Sequence, residues 1–284
     1  MTTLRTPSLL TPSVSKASVP VPAILSGLVL LWAVAAAATP WLLAPTDPFA
    51  VDLTAILKPP SIEHIFGTDQ SGRDVFTRVV HGARESLLIG LGATGLALSV
   101  AIVLGAAAGL GNKVVDTIIS RLLDVFFSFP VLLFALLFVV VAGPGVATQI
   151  VAVGLGTAPG YARMIRGQVQ SVRRSGYVEA ALALGHPSGR IFRQHILPNA
   201  LRPLVAVVTL SIGQSIVWAS GLAFLGLGVA PPSAEWGALL DAGRMYVTSA
   251  WWLEIFPGLA IVLVALAATT LGSYLQRRLE GRND

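Results

Sequence analysis

Tyr177-Val178-Glu179-Ala180-Ala181-Leu182-Ala183-Leu184-Gly185 runs directly into His186-Pro187-Ser188-Gly189-Arg190-Ile191-Phe192-Arg193-Gln194-His195-Ile196-Leu197-Pro198-Asn199. This is a polar, arginine-flanked island in a chain that is otherwise mostly apolar. Val178, Ala181, Leu182 and Gly185 recur at helical spacing, and Ala180, Ala181 and Ala183 are small residues that favour helix. Gly185 stands where a helix ends in the left-handed conformation, Pro187 forbids continuation, and Ser188 is placed to cap the next turn. The pattern predicts helix, turn, helix. It yields a short helix with a shallow small-residue face and a rigid elbow, exposed to water and shaped to meet another protein.

Outward from this island, the composition excludes a soluble globule. With 54% hydrophobic and 12% charged residues and a mean hydropathy of +0.77, 284 residues carry too little charge to clothe a water-facing surface. The chain is expected to be an all-α integral membrane protein. It has no cysteine, which rules out a disulfide framework, thiol catalysis and Cys-ligated metal. The net charge of +5 is scattered between apolar runs and forms no single patch, so nucleic acid is not an expected partner.

Six crossings are expected. Residues 1–20, rich in Ser, Thr and Pro with only Arg5 and Lys16 charged, read as a disordered cytoplasmic tail. Residues 21–86 hold the first span, Val21 to Leu43, and an extracytoplasmic segment. The run is too long for the apolar part of a signal peptide, although Ala36-Ala37-Ala38 has the small residues of a cleavage site. Acids exceed bases from 44 to 86, which places that segment outside. Within it Ser71 to His81 reads as a short amphipathic helix for the outer membrane surface, with Asp74 and Arg78 as an i,i+4 pair. Residues 87–284 form a five-helix core. Its spans are Leu87 to Gly111, Leu122 to Ala142 kinked at Pro130, Val146 to Ala162 loosened by Pro159-Gly160, Pro203 to Leu225 with Pro203 in the first turn, and Phe256 to Leu275. Gly105 and Gly109 give a small-xxx-small packing face. Asp124 is expected to pair with Arg121, and Trp236, Trp251 and Trp252 to form an interfacial belt. Fourteen of the nineteen Lys and Arg fall in the tail, the loop at 112–121, the loop at about 163–202 and the C-terminus, which puts those segments and both termini in the cytoplasm.

No fuel chemistry is visible. Lys16, Lys58 and Lys113 are not part of a phosphate-binding Gly-x-x-x-x-Gly-Lys-Ser/Thr loop. Asp124 and Glu254 lie only near span ends, and all four histidines are in polar segments, so no proton relay crosses the bundle. A metal at His186 and His195 is a weaker account than turn residues, and no metal site is expected. A carrier that concentrates its solute must then draw energy from a partner, through the loop quoted above.

The Glu-Ala-Ala string, the Gly three residues beyond Leu182, and Leu197-Pro198 resemble the cytoplasmic coupling loop of ABC importer permeases. Two further strings are similar to the C-type permease of the dipeptide, oligopeptide and nickel class. One is Gly67-Thr68-Asp69-Gln70-Ser71-Gly72-Arg73-Asp74-Val75 with Gly82-Ala83-Arg84-Glu85-Ser86-Leu87. The other is Ser220-Gly221-Leu222-Ala223-Phe224-Leu225-Gly226-Leu227-Gly228 with Pro231-Pro232 and Trp236-Gly237. The family's usual Ile two residues before Leu197 is His195 here, which matches the His-Ile-Leu-Pro-Asn of peptide-type members.

The resemblance implies a type I importer permease of the bacterial inner membrane that is not itself an enzyme. It implies a heterodimer with a homologous permease, two ATPase subunits carrying ATP and Mg²⁺, and an extracytoplasmic substrate-binding protein. No cofactor is expected in this chain. Tyr177, Glu179, Ala180, Ala181, Gly185, Ile196, Leu197 and Pro198 are the expected coupling residues, with Ala180 and Ala181 forming the close-approach face. Gln149, Thr209, Ser211, Gln214 and Ser215 read as pathway lining or as interhelical hydrogen-bond glue, the second being preferred. Peptide is the expected solute, with nickel or another small solute of the same class as the alternative and an ion-coupled carrier as a remote one.

Overall fold

A computed structural model describes residues 20–201 and 204–279. The tail at 1–19 and the first-turn place expected of Pro203 lie outside the described residues. Among these the chain is helical, with no strand beyond one isolated bridge between Thr68 and Asp74.

The helices are α1 (Val21–Ala38), α2 (Pro40–Leu43), α3 (Val75–Leu110), α4 (Lys113–Phe127), α5 (Val131–Ala142), α6 (Val146–Arg173), α7 (Gly176–Ala183), α8 (Ser188–Ile191), α9 (Leu197–Leu201), α10 (Leu204–Leu222), α11 (Trp236–Gly243) and α12 (Trp252–Leu279). π-Helical turns occupy Phe192–Ile196 and Ala223–Leu227. Four stretches are long and apolar enough to cross a membrane: Val21–Ala38, Val75–Leu110, Val207–Leu227 and Trp252–Arg278. The pair α4 and α5, bent by 84°, makes a fifth if it is one broken span.

α3 and α6 form the central pair. A Cβ on Gly105 would lie 2.6 Å from the Ala162 carbonyl oxygen, and one on Gly109 would lie 2.7 Å from Val169. The two glycines therefore set how closely the backbones approach, as the small-xxx-small pattern predicts. α10 packs on α12 and α3, and α1 lies across α12 and α3. α1 buries only Ala23, Ser26, Ala33 and Ala36 and leaves Leu25, Leu28, Leu31 and Val34 exposed, the distribution of a helix whose outer face meets lipid.

Several local expectations are corrected. Ser71 to His81 is no separate surface helix, because α3 starts at Val75 and runs unbroken for 36 residues, about 54 Å at 1.5 Å per residue. Val75, Val79 and Val80 are buried with Ala33, Ala36, Trp236 and Trp252. Asp74 does not pair with Arg78. It caps α3 by accepting from the Thr77 amide at 2.8 Å and meets His64 Nδ1 at 3.0 Å, while Arg78 Nη1 donates to Asp69 at 2.6 Å. Asp124 accepts from Arg163 at 2.8 Å, not from Arg121, because α6 brings Arg163 across Phe127, 4.2 Å from its ring centre.

The kink expected at Pro130 is a break between two helices. Pro159, by contrast, does not end α6, which continues to Arg173. Only Trp251 of the three tryptophans is exposed. Trp236 and Trp252 are buried, donating to the carbonyls of Val79 at 2.8 Å and Thr68 at 3.0 Å. They tie loops to the bundle end instead of floating in an interface.

Candidate functional site

α7, α8, the turn Phe192–Ile196 and α9 fold into one unit against the ends of α3, α4 and α6. Val178, Ala181, Ile191, Ile196 and Ala200 are buried in one cluster with Ala101, Leu123, Ala162, Ile165, Val169 and Leu204. Val178 and Ala181 are three residues apart and so share one face of α7. The rest of its surface is bare: Tyr177 is 46% and Leu184 77% exposed, and Glu179, Ala180, Leu182 and Gly185 are exposed as well.

The elbow is built as its residues require. Gly185 has φ +73°. The His186 amide donates to the Ala181 carbonyl at 3.1 Å and the Gly185 amide to Leu182 at 3.0 Å, the paired bonds of a glycine-terminated helix. Pro187, not Ser188, is the N-cap of α8; Ser188 is its first helical residue and makes no side-chain cap. Pro198 brings no N–H, and the chain widens just before it: the Leu197 amide reaches back five residues to Phe192, which spares the clash a proline ring makes in a regular helix. Asn199 Nδ2 donates to the His195 carbonyl at 2.7 Å, and the rings of Tyr177 and His195 lie 6.4 Å apart, bracing α7 against the return turn.

The expected coupling residues therefore separate. Tyr177, Glu179, Ala180, Gly185 and Pro198 are exposed, Leu197 is half-buried, and Ala181 and Ile196 are buried. Ala181 is corrected from the outward face to the anchor. Sequence reading missed Ile191 as an anchor, and its signal was the apolar pair Ile191-Phe192 between Arg190 and Arg193. The Glu179 carboxylate makes no hydrogen bond or ion pair among the described residues. It borders an open groove of about 420 Å³ that also holds Lys113, Arg173 and Arg174. At that end α4 is clamped to α6 by Asp116, whose oxygens accept from Arg166 Nε at 2.5 Å and Nη2 at 2.7 Å.

Among the expected pathway residues, Ser211 donates to the Val207 carbonyl at 2.6 Å and Ser215 accepts from Thr94 at 3.1 Å. The first bond lies within α10; the second ties α10 to α3 as interhelical glue. Thr209 is half-buried. Gln149 is fully buried, with no partner for either amide atom among the described residues. Gln214 is exposed, accepts from Tyr161 at 3.1 Å and lines an apolar groove of about 390 Å³ between α10 and α12.

Residues 101–284 match the family described as binding-protein-dependent transport system inner membrane component. The chain belongs to that family. This transport component is 40% identical over 242 residues to the probable D,D-dipeptide transport system permease protein DdpC of Escherichia coli, with 85% of this chain and 81% of that protein covered. It is 41% identical to the dipeptide transport system permease protein DppC of Alkalihalophilus pseudofirmus, over 79% of this chain and 74% of that one. Its fold is similar to that of a chain of the MetNI methionine ABC transporter, solved in inward-facing conformations, with a TM-score of 0.59 at 19% identity over 71% of this chain and 96% of that chain. The buried, braced helical loop and the α3–α6 pair thus belong to an importer membrane subunit.

Proposed function

We propose that this chain is one permease subunit of an ATP-driven ABC importer of short peptides. It crosses the inner membrane six times, with α6 as the fourth crossing in chain order and both termini in the cytoplasm. It pairs with a homologous permease, receives solute from an extracytoplasmic binding protein, and is worked by two ATPase subunits that hold ATP and Mg²⁺. The observation that carries this reading is the two-faced α7: one side locked into the bundle by Val178 and Ala181, the other bare at Glu179 and Ala180, with Tyr177 and Leu182 exposed at its edges. A helix fixed on one side and unpartnered on the other transmits a push from a docked subunit. Relatives named for dipeptide transport support peptide as the solute. Gln214 is the pathway residue best supported, as the one whose amide reaches an open groove.

The test is the pair Glu179→Ala and Gly185→Glu in the assembled transporter. The expected outcome is dipeptide uptake uncoupled from ATP hydrolysis, or ATPase subunits lost from the membrane. Normal uptake together with normal ATPase association in both variants defeats the proposal.

A further inference from the structure

The N-terminal end of α3 and the loop before α11 enclose a cavity of about 360 Å³, within the range of about 300–1,000 Å³ typical of small-ligand sites. On the proposed topology it opens outside. Arg73, Arg78 and Asp241 all line it.

The two guanidinium groups share one carboxylate. Asp69 accepts from Arg73 Nε at 2.7 Å and Arg78 Nη1 at 2.6 Å, and also from the amides of Ser71 at 2.8 Å and Arg73 at 3.0 Å. Arg78 is only 3% exposed. Its Nη2 donates to the carbonyls of Pro232 at 3.1 Å and Ser233 at 2.7 Å, but its Nε has no partner among the described residues. One positive charge is thus left over, together with a buried donor unpaired, and a buried donor of that kind is costly until an acceptor arrives. Asp241 carries the opposite sign, and its cation, Arg244, is 3.5 Å away and half-exposed.

We infer that this cavity is a receiving site for a zwitterion of short-peptide size, its carboxylate held at Arg73 and Arg78 and its ammonium at Asp241. The inference rests on the peptide reading above and adds a site to it.

The test uses the permease–ATPase assembly in lipid nanodiscs without binding protein, and equilibrium binding of radiolabelled Ala-Ala, its C-terminal amide and its N-acetyl derivative. Wild type should bind Ala-Ala saturably and at least tenfold more tightly than either derivative. Arg73→Gln should erase the discrimination against the amide alone, and Asp241→Asn that against the N-acetyl form alone. Co-elution with the ATPase establishes that each variant is assembled. Saturable binding absent from wild type, or both preferences intact in both variants, overturns the site. Uptake of Ala-Ala by the complete system is measured in parallel: uptake without these preferences overturns the site alone, whereas no uptake of any peptide overturns the peptide reading and the site with it.

Discussion

Replacing Gly185 with Ala isolates the backbone conformation of the elbow from everything else. Nothing lies within 4 Å of a Cβ built at this position, so the substitution meets no steric obstacle. Its cost is that of holding an L-residue at φ +73°, roughly 1–2 kcal/mol. The two amide bonds that close the helix, from His186 to Ala181 and from Gly185 to Leu182, depend on that conformation. Their opening equilibrium should therefore rise about 5- to 30-fold. Amide hydrogen exchange of the assembled transporter reads this directly as faster exchange at Gly185 and His186, with α3 and α6 unchanged. Dipeptide uptake per ATP hydrolysed should fall in step. Gly185→Asn, which tolerates the left-handed region, should recover most of both. Exchange in Gly185→Ala equal to that of the native protein, or Asn no better than Ala, refutes the reasoning.

Two further outcomes follow from the helix contacts and the buried acid. Gly105→Ala forces a Cβ to 2.6 Å from the Ala162 carbonyl oxygen and should cost about 1–3 kcal/mol by overpacking, whereas Gly167→Ala on the same pair of helices meets nothing within 4 Å and should gain up to about 1 kcal/mol of helix propensity; melting of the solubilised complex gives the opposite signs. Burial pushes the Glu235 carboxyl above its ordinary range, opposed by the Gly237 and Ala238 amides and by Ser86. A carboxyl raised on folding contributes stability that is full below its unfolded value and is lost as pH rises through the folded one. The melting temperature of Glu235→Gln should therefore gain on the native protein as pH increases across that window, and a constant difference from acid to neutral pH would contradict it.

The helix, elbow and return turn around Gly185 were legible in sequence because their signals are local. A glycine with positive φ, a following proline and two apolar residues three apart act within one or two turns, and the structure bears each of them out. Ser71 to His81 failed for a reason of another kind. A stripe of Val75, Phe76, Val79 and Val80 suits a lipid surface and a protein core equally, and only Trp236, about 160 residues later, decides between them. Asp74 and Arg78 stand at ideal helical spacing, but Asp69, fixed by a tight turn, gathers two guanidiniums and two amides and outcompetes an i,i+4 contact worth about 0.2–0.5 kcal/mol. The exposed face of α7 was anticipated with Ala181 on it. One residue of helical phase, 100°, was enough to turn that methyl inward.

The anchor must also be strong enough for its task. Moving a two-state cavity almost wholly from one side to the other takes on the order of 5.5 kcal/mol, and a loop that peels off at a lower load transmits nothing. Val178, Ile191 and Ile196 are the larger apolar anchors of the unit, beside Ala181 and Ala200, each at most 6% exposed. At about 1.5–3 kcal/mol per buried aliphatic side chain the three together hold roughly 4.5–9 kcal/mol, a range that brackets the load. The margin is thin, so truncation should uncouple the transporter before it unfolds it. Val178→Ala with Ile191→Ala removes enough to bring the anchor below the load, since an Ile→Ala change alone costs about 2–5 kcal/mol. The double variant should keep its ATPase partner and hydrolyse ATP while importing little peptide. An exposed-face change such as Leu182→Ala should instead weaken ATPase association. If the double variant imports at the native rate per ATP, the force does not pass through this anchor.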